Sequence, residues 1–214
     1  MPASQFSNFD RGIGGHIFGA DADGYHAARV GYPDALLDHL FARCSPPGVT
    51  LEIGPGTGLA TQALLARGVP QLVAVEPDPA LCQYLADHLP DPRLEIVRGD
   101  FVQAPLTGLF ALAVCACSFH WLEFSPATAR LRRVLEPGGV LALSWNVYRQ
   151  PGTGDAFADM LLPAISHLPM PPSEALGGHH WLNKDLHIGR FQDAGFIELD
   201  YSEYRRERLL DAEA

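Results

Sequence analysis

Between Val49 and Trp145 the chain alternates short, nearly unbroken apolar runs with amphipathic stretches. Val49–Ile53, Gln71–Val75, Leu94–Val97, Phe110–Cys117 and Val140–Trp145 have the length of strands. Runs without polar alternation suit strands covered on both faces, as in a parallel sheet. Leu59–Ala66, Pro79–Leu89 and Thr128–Leu135 carry helical spacing, with Leu81, Leu85 and Leu89 four apart. Gly68 ends the first, and Pro137-Gly138-Gly139 is read as closing the third. Pro33–Arg43 is a helix with Pro33 in its first turn and Leu36, Leu37, Leu40 and Phe41 on one face. Ser45-Pro46-Pro47-Gly48 stops it. Downstream the pattern predicts a helix over Asp155–Leu168 and a Pro/Gly/His-rich loop over 169–182. A helix over Asp185–Ala194 and a half-exposed strand over Ile197–Tyr204 follow. Residues 1–32 show no clear period and read as an arm or lid, with a short helix near Tyr25–Val30. Repeated strand–helix units imply an α/β fold with helices on both faces of a mostly parallel sheet. The arm 1–32 then precedes one domain over 33–214, with ligands outside the carboxyl ends of the strands.

Composition narrows this picture. A length of 214 residues, 47% of them hydrophobic, supplies one core of ordinary size. No apolar stretch nears the roughly 18 residues of a membrane span, and the first residues have neither a basic region nor an apolar run, so neither a membrane partner nor a leader is expected. The net charge of −10 disfavours a nucleic-acid partner. Arg205, Arg206 and Arg208, interrupted by Glu207, read as a solvated face. Cys44, Cys82, Cys115 and Cys117 form no Cys-x-x-Cys pair. Cys115 and Cys117, two apart on an expected strand, read as small buried hydrophobes in a reducing, cytoplasmic setting.

The chemistry concentrates at three strand ends. The first strand-to-helix turn reads Glu52-Ile53-Gly54-Pro55-Gly56-Thr57-Gly58. A dinucleotide fingerprint would place its third glycine at 59, where this chain has leucine. A carboxylate two residues before the turn repels a pyrophosphate and attracts a ligand with an ammonium and a sulfonium. S-adenosylmethionine (SAM) carries both, with a carboxylate that a helix N-terminus can receive. Glu76, followed by Pro77, ends the second strand, where two acceptor oxygens can take both hydroxyls of a ribose. Gly99-Asp100-Phe101 follows the third, where an Asp can accept an adenine amino group and apolar neighbours can cover the base.

With these positions in place, the sequence resembles the class I SAM-dependent methyltransferases, within them the broad small-molecule "type 11" group. The resemblance covers roughly residues 25–146. It includes Cys117-Ser118-Phe119-His120-Trp121-Leu122, Arg132–Gly139, Trp145-Asn146, Tyr25–Arg29 and Gly31-Tyr32-Pro33. It implies a Rossmann-like three-layer sandwich and methyl transfer from SAM to a small-molecule acceptor, releasing S-adenosylhomocysteine. It also implies that Glu52, Gly54, Pro55, Gly56, Thr57 and Gly58 hold the methionine end. Glu76 and Pro77 would hold the ribose, and Asp100 and Phe101 the adenine. Cys117 would line the cofactor site, and Tyr25 and Arg29 would close over it. A SAM-binding module of the same fold without methyl transfer is the alternative.

His120, after the fourth strand, is the candidate catalytic residue, as a base for the acceptor or else as a structural partner of Trp121. His179, His180, Trp181 and His187 lack metal-ligand spacing, so no metal is expected, and that loop reads as acceptor pocket or cover. Family sheets have seven strands, whereas this chain stops soon after its sixth expected strand. An uncovered fifth-strand edge predicts a homodimer or an unstable monomer.

Overall fold

The computed structural model describes residues 18–44, 48–147 and 183–206. Five strands lie parallel in one sheet: Thr50–Ile53 (β1), Leu72–Glu76 (β2), Leu94–Arg98 (β3), Phe110–Ala116 (β4) and Leu135–Ser144 (β5). Their order is β3-β2-β1-β4-β5. The central pair runs Thr50 against Leu72 through Ile53 against Val75, and β1 also pairs with β4 from Thr50 against Leu112. Every residue of β1 and β2 is buried, which is why these segments are apolar without alternation.

The helices are Ala22–Ala28 (α1), Asp34–Arg43 (α2), Leu59–Ala66 (α3), Pro79–His88 (α4), Phe124–Val134 (α5) and Lys184–Asp193 (α6). Side chains cap the starts of α1, α4 and α6: Asp21 accepts from Gly24 N at 3.0 Å, Asp78 from Ala80 N at 2.8 Å, and Asn183 from Leu186 N at 3.0 Å. Alternate residues of the strands feed two cores. Leu51, Ile53, Val73, Val75 and Cys115 pack with Ala127, Leu131 and Phe191 of α5 and α6. Leu72, Leu112 and Val114 pack with Leu64 and Leu65 of α3 and Leu40 of α2. The sheet is thus the middle of three layers.

Three boundaries differ from expectation. α5 begins at Phe124, four residues before the expected Thr128, because Pro126 sits in the first turn, where its missing N–H costs nothing. β5 begins at Leu135, so Pro137-Gly138-Gly139 lies inside a strand and does not close a helix. The register passes from Phe110 against Leu135 to Leu112 against Val140, and the extra β5 residues bulge out. A Cβ on Gly139 would stand 2.9 Å from Glu136 O, so glycine allows the backbones to close there. Finally, Ile197–Tyr204 is not a strand: it has no ladder partner among the described residues, and Ile197 is 82% exposed. Its alternation supplies a face but no edge to pair with, and Asp200 turns to α2 instead. The expected helix Asp155–Leu168 and the loop 169–182 lie outside the described residues.

Candidate functional site

The strand order reverses between β1 and β4, which opens a crevice at the carboxyl ends of the strands. A cavity of about 620 Å³ lies there, bounded by the β1–α3 turn, the ends of β2 and β4, and α1.

The turn forms its floor. Gly54 has φ 68°, and a Cβ there would meet Ser118 Cβ at 2.6 Å; the Ser118 hydroxyl itself donates to Ile53 O. The β1 and β4 ends therefore touch beneath the cavity only because residue 54 lacks a side chain. Gly56 has φ 61° with open space where its Cβ would be, so its main chain faces the cavity directly. Gly58 caps α3 and serves packing: a Cβ there would strike Leu85 and Leu89 at 2.7 and 2.6 Å. It does not line the cavity, whereas Pro55 and Thr57 do.

Two carboxylates sit at this end. Glu76 is 4% exposed and lines the cavity. Its Oε2 accepts from Gly56 N at 3.1 Å and its Oε1 from Asp78 N at 3.0 Å, which ties the β2 end to the glycine turn. Each oxygen keeps a second acceptor site. Burial raises its pKa against those two amide bonds. Glu52 is fully buried on the α3 side of β1, beneath the floor and outside the cavity lining. The hydroxyl and amide of Thr61 face it, yet neither carboxylate oxygen reaches a hydrogen bond of ordinary geometry. Burial first, with the Glu76 charge adding, pushes it up to about 7.

Along the far wall, Pro77 follows Glu76, and Asp100 and Phe101 stand after β3. Asp100 Oδ1 accepts from Val102 N at 2.8 Å, which uses one oxygen to shape the turn. Phe101 is 2% exposed, packs in the core and also borders the cavity. Half-buried Val102 and buried Leu81 also line the cavity.

At the mouth, Tyr25 and Arg29 of the α1 region face the cavity, with Arg29 Nε donating to the Tyr25 hydroxyl at 3.0 Å. Cys117 lines it from the β4 end with φ 57°, and its Sγ accepts from Asn146 N at 3.1 Å. His120 does not line it; Trp121 does, with the His120 ring 4.9 Å behind at a 42° tilt. The structure adds Tyr32, Ser118 and Asn146, which the sequence reading left without roles. Tyr32 is held high in pKa by burial, then by the adjacent Cys117. A signal for Tyr32 was available: Pro33 biases the preceding residue to extended backbone at the start of α2. Among the described residues no cluster of metal-ligating side chains is present.

Residues 51–143 match the family model described as a methyltransferase domain. An uncharacterised methyltransferase of Mycobacterium tuberculosis is 34% identical over 130 residues, covering 60% of this chain and 51% of that one. An uncharacterised methyltransferase-like protein of Schizosaccharomyces pombe is 31% identical over 132 residues, with the same shares. The chain thus spans about half the length of these curated relatives. A solved structure described as a type II methyltransferase from Anaeromyxobacter dehalogenans superposes with a TM-score of 0.57 at 25% identity. That match covers 72% of this chain and 66% of the other. The glycine turn, the acid at the β2 end and the crevice between β1 and β4 fall within or beside the matched span, so residues 51–143 are similar to methyltransferase domains, and the described sheet and helices have the Rossmann-like fold of the solved methyltransferase.

Proposed function

We propose that the chain binds SAM in the cavity between β1 and β4 and transfers its methyl group to a small-molecule acceptor. The observation that carries this reading is the arrangement of one cavity. An open glycine backbone and a buried acid stand at one end, a ribose-competent carboxylate in the middle, and an aromatic rim at the other. The residues fit the cofactor in three respects. Gly56 presents main chain at a point where a side chain would fill the space. Glu76 retains an acceptor site on each oxygen for a diol. Glu52 is a buried carboxyl without an ordinary hydrogen-bond partner, beneath the turn where the ammonium end would lie and would favour its ionised form.

When bound, SAM supplies an activated methyl group on a sulfonium. The chain's own residues supply placement. Glu52 stabilises positive charge through the floor, and Asp100 with Pro77 flanks the base. Tyr25 and Arg29 cover the ligand from the arm. Cys117, Tyr32, Asn146 and Trp121 form the wall where the acceptor would approach. Methyl transfer to a good nucleophile needs alignment and exclusion of water more than a base. His120 therefore serves to support Trp121, against which its ring packs. A small-molecule acceptor accords with the net charge of −10, which would oppose a polynucleotide. The outer edge of β5 has no paired strand among the described residues, which supports a homodimer as a means of covering it.

Calorimetric titration with SAM, S-adenosylhomocysteine and NAD tests the reading. Binding of both adenosyl ligands without NAD binding supports it and justifies an acceptor screen. Adenosyl binding without turnover on any acceptor would favour a SAM-binding module. No adenosyl binding would end the assignment.

A further inference from the structure

The extended segment 196–206, after α6, has no part in the reading above. It starts in the layer of α5 and α6, where Phe196 N donates to Phe191 O at 3.0 Å and Phe196 and Leu199 pack on the core. It then reaches the opposite layer. Asp200 Oδ2 accepts from Arg43 Nη2 at 3.0 Å and lies 2.6 Å from His39 Nε2, both on α2. Further on, Arg206 Nη1 donates to Gly31 O at 2.6 Å. From the end of β5, Asn146 Nδ2 donates to Val30 O at 3.2 Å.

The Arg206 and Asn146 bonds meet on the link between α1 and α2, residues 29–33, while the Asp200 bonds tie the segment to α2 beyond it. Gly31 has no neighbour within 4 Å of the position a Cβ would take, so side-chain packing does not hold the link there. Two successive carbonyls of the link are held by donors 116 and 175 residues away in sequence, beside the Tyr32 side chain packed against Cys117. The link carries Arg29 and Tyr32, and Tyr25 lies one helical turn before it; all three line the cavity. His39 and Arg43 hold the Asp200 carboxyl below its usual range, so it remains an anion through neutral pH.

We infer that residues 196–206 form a strap in which Arg206 clamps the α1–α2 link directly and Asp200 ties the strap to α2, so that both are positioning residues that set Tyr32 and Arg29 at the cavity mouth. The contacts of Asp200 and Arg206 are exposed polar ones, each of which adds little to global stability. A short link anchored through two carbonyls responds differently: its local opening depends directly on those anchors. Losing the strap therefore loosens the mouth while leaving the sheet intact. The consequence for ligand binding rests on the proposed SAM reading; the clamp itself does not.

The test uses the full chain and the variants Asp200→Asn, Arg206→Gln and Arg206→Lys. Amide hydrogen exchange of residues 29–32 is measured without ligand, and S-adenosylhomocysteine affinity by calorimetry. Exchange across 29–32 is expected to quicken by about tenfold in Asp200→Asn and Arg206→Gln, with the sheet strands unchanged. The Kd is expected to rise by roughly five- to tenfold, and Arg206→Lys, which keeps a donor, should restore both. Unchanged exchange in both variants overturns the clamp whether or not any ligand binds. Faster exchange with unchanged affinity overturns the positioning role. Quickened exchange throughout the strands would show a general loss of folding and also overturn it. If the unmodified chain binds no S-adenosylhomocysteine, the SAM reading falls, and the exchange measurement still decides the clamp.

Discussion

Replacing Glu52 by glutamine tests the central electrostatic feature of the floor. Glu52 is fully buried, its oxygens lack ordinary hydrogen bonds, and Glu76 adds a second negative charge nearby. In the folded chain it keeps its proton to about pH 7, against an ordinary 4.5. Between those two values the folded state binds more protons than the unfolded one, so stability falls as pH rises through that window and is flat above it. Each pH unit of the difference amounts to about 1.4 kcal/mol, so ionised Glu52 destabilises the ligand-free fold by about 3 kcal/mol at pH 8. The Glu52→Gln variant keeps the side-chain shape and removes the charge. Its melting temperature is expected to exceed that of the parent by roughly 6–12 °C at pH 8, at about 2–4 °C per kcal/mol, with the gap closing toward pH 5. Thermal melts of both proteins from pH 5 to 8 are the assay. With SAM the order should reverse in affinity, the variant binding about tenfold more weakly, as loss of a charged partner implies. A gap that is absent at pH 8, or equal at pH 5 and pH 8, would refute the argument that an unpaired buried anion sits beneath the glycine turn.

Gly54→Ala should cost about 2–4 kcal/mol in denaturant unfolding, because it adds positive-φ strain to a 2.6 Å collision with Ser118. A change below about 1 kcal/mol would mean that the two strand ends can part freely. Glu76→Gln should weaken S-adenosylhomocysteine binding by about tenfold or more by calorimetry, since it loses charge and one acceptor site at the diol position; unaltered affinity would remove Glu76 from the ribose site. His120→Ala should leave cofactor affinity unchanged, because His120 does not line the cavity. Its turnover on an identified acceptor should stay within about tenfold of the parent, and a loss of a hundredfold or more would reinstate a base.

Much of this protein was legible in its sequence because local rules and the fold agree. The apolar runs from Val49 to Cys117 became parallel strands, wholly buried in β1 and β2, and the spacing of Gly54, Gly56 and Gly58 after Glu52 marked the turn that faces the cavity. Backbone geometry and strand burial are written into consecutive residues, so a local reading recovers them. The β5 boundary was not legible. Pro137-Gly138-Gly139 has the chemistry of a helix stop, and only its pairing opposite Phe110 made it a bulge. Ile197–Tyr204 alternated like a strand but found no edge, since a ladder requires a partner that no local pattern can specify. The three glycines looked equivalent in sequence; tertiary packing assigned Gly54 to a contact with Ser118, Gly56 to the cavity and Gly58 to the α3–α4 interface. In the same way, the residue types at Glu52, Phe101 and His120 were read from sequence, but which of them face the cavity was decided by the layers that cover them. Side-chain identity fixes what a residue can do, and the environment that only the folded sheet and helices create determines whether it meets a ligand, a core or a second charge.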